Sequence, residues 1–485
     1  MMFQFDHSLA RDLEGFYKPS QAAQPPAPRM VLWNAPLAAM LNIPDVGEDQ
    51  LARWFSGAED LPGSQPLAMT YAGHQFGHFN PQLGDGRALL LGEVVIADGA
   101  RFDLQFKGSG PTPYSRGADG KSTLSAALRE YLMSEAMAAL GVPTTRSLAV
   151  VATGEGIWRE EPHPGAVLTR VAASHLRVGS FEWAAAHQGR AAVEQLTDYA
   201  LQRHFAERMG ARNRPLALLE AVCEVQAALV AKWMNLGFVH GVMNTDNVTI
   251  SGETIDYGPC AFLDGYSAAQ VFSSIDKGGR YAFGQQPAVC RWNLYKLASA
   301  LIEAIVAVDE ADNEAARLLL DRFGARYEAL WIGGLRPKLG LATEQATDLA
   351  LGQALFAALE GQGADFTRLF RALSASLGEG YGAVGAELTD PAALQGWWGQ
   401  WQDRLALEPL DPAERATAME LVNPLYVPRN HLTDAALRAA EAGDMVPFEA
   451  LLGAVTQPYT ARTGWDRFAH GAPEGAPAFV SYCGT

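Results

Sequence analysis

Cysteine is scarce in this 485-residue chain, which contains only Cys223, Cys260, Cys290 and Cys483. Four widely separated cysteines without a C-x-x-C pair do not make the disulfide framework of a small secreted protein. They also lack the paired spacing of a structural zinc site. The chain therefore has to fold by burying apolar side chains, and its 48% apolar composition allows a large core.

Positive charge and long apolar runs are limited too. The 37 lysines and arginines face 54 aspartates and glutamates, and the resulting net charge of −17 disfavours nucleic acid and anionic membranes as partners. No apolar run approaches the ~20 residues that cross a bilayer, and the first residues carry acidic side chains where a signal sequence is basic and apolar. We therefore expect a cytoplasmic protein in which local arginines and lysines bind any anionic ligand.

The segment 238–258 carries the strongest chemical pattern. His240 opens a loop in which Asn247 is followed, nine residues later, by Asp256-Tyr257-Gly258, and this order is typical of the catalytic loop and metal-binding turn of protein kinases. Val242 stands where the kinase has its catalytic aspartate, and a valine cannot accept a proton. Asn247 and Asp256 still offer the oxygen ligands that Mg²⁺ prefers. The loop therefore predicts a metal site that serves a different reaction, or a kinase that has lost its activity.

Two features of this loop have alternative interpretations. Residues 248–250 and 254–255 predict a short hairpin that would bring Asn247 beside Asp256, although the same polar side chains could simply satisfy turn amides. Asp246, next to Asn247, is either the proton acceptor for an incoming hydroxyl or a charged turn residue. We expect His240 to support the turn and not to take part in catalysis.

A strand–strand–helix pattern precedes this loop. Residues 88–96 and 101–107 predict two strands joined by a tight turn, and Ser122 or Thr123 can cap a helix that runs to residue 140. Lys107 ends the second strand and Glu130 lies on an apolar helix face, where an unpaired carboxylate would be costly to bury. We expect these two side chains to pair, as they do in the small lobe of a kinase; the alternative is an unrelated surface lysine and glutamate.

Further candidate ligands for a phosphate group flank these strands. Gly84 and Gly86 form a G-x-G sequence directly before the first strong strand, where backbone amides can approach phosphate oxygens, although most such pairs are ordinary turns. Arg87 would add a positive charge beside them. Arg170 and Arg177 are either solvated surface residues or the extra cations that an acidic protein needs to bind a triphosphate.

Together these patterns predict an α+β, bilobal, protein-kinase-like fold, with a small β-rich lobe and a larger helical lobe. Helical patterns cover residues 215–236, 293–308, 343–359 and 432–455. The expected division is an N-terminal arm over 1–66, an N-lobe over 67–165, a C-lobe over 166–330 and a helical extension with a cysteine-bearing tail over 331–485.

The chain closely resembles the selenoprotein O family, also called SelO or YdiU. The resemblance rests on YAGHQFG at 71–77, QLGDGRA at 82–88, QFKGSG at 105–110, HGVMNTDN at 240–247 and Asn-Pro at 423–424. It implies transfer of AMP from ATP, bound in a flipped orientation, to serine, threonine or tyrosine hydroxyls of protein substrates. It also implies Mg²⁺, or Mn²⁺ in its place, on Asn247 and Asp256, with Asp246 as the proton acceptor.

The same resemblance implies a nucleotide-binding set and a tail cysteine. The nucleotide-binding set comprises Gly84, Gly86, Arg87, Lys107, Asp119, Gly120, Arg170, Arg177 and Asp256, with Glu130 orienting Lys107. Cys483 matches the family's C-terminal selenocysteine or cysteine, but the position of its partner in some bacterial members aligns with Phe272. A phosphotransferase using the γ-phosphate and a nucleotide-binding scaffold without activity are the alternative functions; the retained metal and lysine residues argue against the scaffold.

Overall fold

The computed structural model describes residues 4–473 and 475–481. It is an α+β structure in which most strands precede residue 173 and most helices follow it. The strands are β1 Phe5–Asp6, β2 Tyr17–Pro19, β3 Arg29–Trp33, β4 Leu67–Met69, β5 Gly73–Gln75, β6 His78–Asn80, β7 Ala88–Val95, β8 Arg101–Lys107, β9 Ser122–Thr123, β10 Arg146–Trp158, β11 Pro162–Ala172, β12 Phe238–Val239 and β13 Ala261–Phe262.

The longest helices are α7, α8 and α9, which pack against one another. In chain order they are α1 Ser8–Asp12, α2 Ala35–Met40, α3 Glu48–Ser56, α4 Leu124–Ala139, α5 Val178–His187, α6 Arg190–His204, α7 Arg214–Leu236, α8 Gln286–Val308, α9 Asp312–Lys338, α10 Asp348–Leu359, α11 Phe366–Glu379, α12 Gly382–Gly385, α13 Gln395–Leu405, α14 Pro412–Glu420, α15 Asn430–Glu441, α16 Val446–Val455 and α17 Asp466–Ala469. In the described part of the chain, none of them combines the length and apolarity needed to span a membrane.

A nine-stranded antiparallel sheet dominates the first part of the chain. Seven strands follow the order β2-β4-β7-β8-β11-β10-β3, while β1 pairs with β7 and β9 pairs with β11. The strands predicted over 88–96 and 101–107 are confirmed as β7 and β8. Lys107, at the end of β8, lies between Ala88 of β7 and Leu168 of β11.

The sheet does not follow the boundaries expected from the sequence. The segment proposed as an arm contributes β1, β2 and β3 to the sheet, and the side chains of Leu37 and Phe55 from this segment are buried in its core. Strand β11 runs across the expected boundary at 165/166, and α9 runs across the one at 330/331. Apolar side chains of the first 66 residues are therefore buried against the sheet that later segments form.

Helix α4 forms where the sequence predicted it. The Thr123 side chain accepts a hydrogen bond from the Ala126 amide at 3.2 Å, which satisfies one of the free amides of the first turn. Leu128 and Leu132 are fully buried on one face, and Glu130 is buried as well. Packing of the two leucines therefore fixes the direction in which the Glu130 side chain points.

Helix α7 ends directly before the loop that begins at Phe238. Asn213 caps its start by accepting from the Leu216 amide, and Gly237 ends it with a φ of 71°, a conformation that glycine adopts without strain. The predicted helix over 215–236 is thus confirmed. The predicted stretch 432–455 is instead two helices, α15 and α16, separated at Gly443, where φ is 95°.

The hairpin predicted over 248–255 is wrong. Thr249 bridges to Arg177 and Thr254 bridges to Thr144, so the two segments pair with other parts of the chain and not with each other. The amides and carbonyls of this turn bond outward, for example from the Ile250 amide to the Leu176 carbonyl at 3.0 Å. These long-range bonds hold the turn between the start of α5 and the start of β10.

Candidate active site

A cavity of about 480 Å³ lies where the loops of the sheet meet the segment 242–259. Its lining contains almost all the site residues predicted from the sequence: Gly84, Gly86, Arg87, Lys107, Asp119, Gly120, Arg170, Arg177, Asp246, Asn247 and Asp256. Glu130 lies just behind it, in contact with Lys107. Residues separated by up to 172 positions in the chain therefore form one site.

Four charged side chains, of which Glu130 and Arg170 are buried and Lys107 and Asp256 are half-buried, form a network at one end of the cavity. The Lys107 ammonium lies 2.6 Å from a Glu130 oxygen and 2.7 Å from Asp256 Oδ1. The Arg170 guanidinium bridges the same two carboxylates at 2.5 and 2.6 Å. The pairing predicted between Lys107 and Glu130 is confirmed, and Arg170 joins it as a buried residue, not as a solvated one.

These cations keep both carboxylates ionised. Burial alone would raise the pKa of Asp256, but Lys107, Arg170 and Arg177 outweigh it and hold that pKa well below its ordinary value. Burial likewise opposes ionisation of Glu130, whose pKa Arg170 and Lys107 nevertheless lower. Asp256 thus presents a permanent negative charge to the cavity.

Asn247 and Asp256 form a partial set of oxygen ligands. The Asn247 amide nitrogen donates to the Val242 carbonyl at 3.0 Å, which leaves the amide oxygen as the acceptor. Asp256 Oδ2 makes a longer contact, 3.4 Å to Arg177. An amide oxygen beside an ionised carboxylate, on the wall of an open cavity, fits a divalent cation that completes its coordination with water or phosphate oxygens.

Asp246 lies in a different environment. Burial raises its pKa to about 6, against a smaller opposing effect of Arg177. The Gln75 side-chain amide donates to Oδ2 at 3.2 Å, while Oδ1 has no hydrogen-bond partner among the described residues. A carboxylate that is ionised at neutral pH but only weakly stabilised is suited to accept a proton.

The absence of a side chain at Gly73 lets the backbone of this residue pack closely against Asp246. A Cβ atom at that position would lie 2.9 Å from Asp246 Oδ1 and 3.0 Å from a Leu83 methyl group, closer than real Cβ atoms approach. Gly73 begins β5, so the β5–β6 hairpin packs directly on the candidate base. Sequence reasoning gave no role to Gly73 or Gln75, although both lie in the 71–77 string.

Two glycines of the predicted nucleotide-binding set are required by the packing of the loops. Gly84 has a φ of 69°, and a side chain there would overlap the Tyr114 ring; Gly120 has a φ of 64° and faces the Gly110 carbonyl. Between them, Asp85 accepts the Met69 amide at 3.1 Å and ties the loop to the sheet. Tight turns thus bring the backbone to the cavity wall.

Several cations line the cavity, and not all of them are paired with a carboxylate. Arg87 has no carboxylate partner in the described part of the chain. Arg159, which sequence reasoning missed, pairs with Asp119 at 2.8 Å, and the Arg177 guanidinium lies 4.5 Å from the centre of the Tyr71 ring. This charge distribution suits an anion with several negative groups.

His240 supports the loop, as expected. Its ring is buried, with Nε2 2.8 Å from the Ile255 carbonyl oxygen, and burial lowers the pKa of the ring. The Gln286 side chain accepts the His240 amide at 2.9 Å. The histidine therefore joins the two ends of the loop that carries Asp246 and Asp256.

Comparison with known proteins bears directly on this site. The sequence profile of the family described as "Protein adenylyltransferase SelO" matches residues 1–456. The chain belongs to the SelO family. It is 54% identical to the protein nucleotidyltransferase YdiU of Sphingopyxis alaskensis and 52% identical to that of Cereibacter sphaeroides, each over the full length of both chains. The corresponding protein of Rhizobium rhizogenes is 49% identical over 99% of this chain and 97% of its own.

The family membership inferred from the sequence strings is therefore confirmed, and this SelO-family chain is a protein adenylyltransferase. Val242, which replaces the kinase base, is accordingly a feature of an active nucleotidyltransferase. The alternative of a scaffold without activity is not supported by these relationships.

The C-terminal tail of this SelO-family chain reaches the segment that follows the turn at 256–258. The Ser481 amide donates to the Phe272 carbonyl at 2.8 Å, and the rings of Phe272 and Phe479 lie 6.1 Å apart. Cys483 itself lies outside the described residues. Cys260 and Cys290 are fully enclosed in the core, and burial raises the pKa of both thiols, which disfavours either as its partner.

Proposed function

We propose that this protein binds ATP in the cavity and transfers AMP to serine, threonine or tyrosine hydroxyls of protein substrates. The observation that carries the proposal is the pair of unlike carboxylates on one wall. Asp256 is held ionised by three cations, while the pKa of Asp246 is raised to about 6. Carboxylates whose pKa values are pushed apart in this way are suited to different roles, a ligand for metal and a base.

In this proposal the cations bind the triphosphate. Arg87, Lys107, Arg170 and Arg177, with the backbone of the loop 84–87, face the negative oxygens, while Glu130 keeps Lys107 in place. Asn247 and Asp256 would hold Mg²⁺ or Mn²⁺, which supplies further positive charge to the phosphate oxygens. Gly120 and Asp119 border the same space.

The reaction requires only one proton transfer to the protein. The acceptor hydroxyl oxygen forms a bond to the α-phosphorus, and the bond from that phosphorus to the bridging oxygen breaks as pyrophosphate leaves. The hydroxyl proton passes to Asp246, whose Oδ1 is buried and has no hydrogen-bond partner among the described residues. Arginines around the phosphates then stabilise the charge of the departing pyrophosphate.

We further propose that the protein has the two lobes of a kinase-like fold. A boundary after Ala172 keeps the nine-stranded sheet in one unit, and the segments that carry Arg177, Asp246 and Asp256 then belong to the next. The pairing of Lys107 with Glu130 and their position before the loop 240–258 support this arrangement.

The test is transfer of label from ATP to a protein mixture. With Mg²⁺ or Mn²⁺ present, we expect incorporation from ATP labelled at the α-phosphate and none from ATP labelled at the γ-phosphate. Asp256→Ala serves as the control for background labelling. Incorporation from the γ-label alone would instead make the protein a phosphotransferase.

A further inference from the structure

The β5–β6 hairpin is attached to the loop that carries Asp246. The three consecutive residues His74, Gln75 and Phe76 each hydrogen-bond to one of the residues 244–246, at 2.6, 3.2 and 3.1 Å. The hairpin therefore forms one wall beside the proposed base, on the side where its unpartnered oxygen lies.

Buried contacts fix the hairpin in this position. Glu182 of α5 is buried and accepts the Thr245 hydroxyl at 2.5 Å through one oxygen, while its other oxygen contacts the His74 ring. The His74 ring in turn packs against Phe79 and Trp292. A rigid hairpin keeps whatever its outer side binds at a constant distance from Asp246.

The turn of the hairpin lies beside an aromatic and cationic patch. The Arg280 guanidinium lies 4.6 Å from the centre of the Trp292 ring, and Lys296 approaches the same ring at 5.0 Å. A Cβ atom on Gly77 would lie 3.9 Å from that guanidinium, and Phe79 is 44% exposed. We call Phe76, Gly77, Phe79, Arg280, Trp292 and Lys296 the hairpin surface.

The charge of the hairpin surface is unbalanced. Neither Arg280 nor Lys296 has a carboxylate partner in the described part of the chain, and the buried Arg280 Nε has no hydrogen-bond partner there. Asp276, in the same loop, is buried and already accepts the backbone amides of Arg280 and Tyr281 at 2.9 and 2.7 Å. Cations without an internal carboxylate partner, in a protein of net charge −17, favour an external anion.

We propose that the hairpin surface docks the acceptor segment of the protein substrate and favours acidic residues beside the acceptor hydroxyl. This inference rests on the proposed function, which places that hydroxyl at Asp246. A guanidinium stacked on an aromatic ring keeps its edge free to bind a carboxylate.

Binding of two labelled peptides, measured without nucleotide, tests the proposal. Both contain a single serine; one has aspartates on either side of it and the other has asparagines. We expect the acidic peptide to bind about fivefold more tightly, the scale of one partly exposed ion pair. Arg280→Gln and Lys296→Gln should each reduce this preference, with thermal unfolding checking that both variants fold.

Arg291→Gln is the matched control. It removes a charge from the same helix, one residue before Trp292, but Arg291 is directed to Asp321 on α9 at 3.0 Å. Equal binding of the two peptides by the unmodified protein would overturn the inference, as would an unchanged preference in Arg280→Gln and Lys296→Gln. Since no ATP is present, this result is distinct from a failure of AMP transfer, which would count against the proposed function.

Discussion

The substitution Asp246→Asn removes the ability of this side chain to accept a proton but keeps its shape. The amide keeps the volume of the side chain and can still accept from Gln75, but it cannot take a proton. Loss of a positioned proton acceptor typically costs about 10²- to 10⁴-fold in rate, and we expect transfer to protein hydroxyls to fall within that range. Affinity for ATP should change much less, because the cations that we propose bind the phosphates stay in place.

The raised pKa of Asp246 sets a pH dependence of known sign. Since its pKa is about 6, transfer should be fully present above that pH and should be lost as pH falls through it. An ordinary aspartate, with a pKa near 3.8, would leave the rate flat to much lower pH. Initial rates of α-label incorporation between pH 5 and 8, at saturating ATP, give the profile.

The same shift makes a prediction for stability. An acid whose pKa rises on folding holds its proton more tightly in the folded state, so the folded protein loses stability as pH rises from about 4 to 6. At neutral pH the full shift corresponds to a free-energy cost of about 3 kcal/mol, which Asp246→Asn should partly remove. We therefore expect a variant that is less active yet more resistant to urea. Full activity in Asp246→Asn would refute the assignment of this residue as the base.

Two further predictions concern the neighbours of Asp246. Asp256→Asn should reduce transfer by at least about 100-fold in Mg²⁺, because it removes the ionised ligand; full activity at ordinary Mg²⁺ concentrations would show that the metal is held elsewhere. Gly73→Ala should lower the rate by about tenfold or more, since the added methyl group would lie 2.9 Å from Asp246 Oδ1 and a small displacement of a reacting group is costly. Gly156→Ala, where a Cβ meets nothing within 4 Å, is its control, and equal rates in the two variants would contradict the reasoning.

Elements with strong local signals were predictable. Strands β7 and β8 have continuous or alternating apolar residues, α4 has its Thr123 cap, and α7 ends at a glycine, so each could be located from nearby residues alone. The pairing of Lys107 with Glu130 followed from their positions on such elements. Local patterns in the sequence are thus sufficient to locate one end of the cavity.

Features that depend on distant contacts were not predictable in the same way. The turn 248–255 has the composition of a hairpin, but its backbone bonds to segments more than 70 residues away, and those bonds decide its course. Strands β5 and β6 are three residues each, too short to show an alternating pattern, so Gln75 could not be placed beside Asp246, 171 positions further along. Three strands in the first 66 residues were missed for the same reason, since their partners lie in later segments.

The burial of the Lys107–Glu130–Arg170–Asp256 network has a consequence for how this protein responds to ionic strength. Dissolved ions screen exposed charges within about 8 to 10 Å at physiological salt but screen buried pairs far less. The network should therefore keep its geometry when salt is raised, whereas the half-buried Arg280 should lose attraction for an acidic segment. Added salt would weaken the proposed docking of the protein acceptor while leaving the proposed phosphate-binding site assembled.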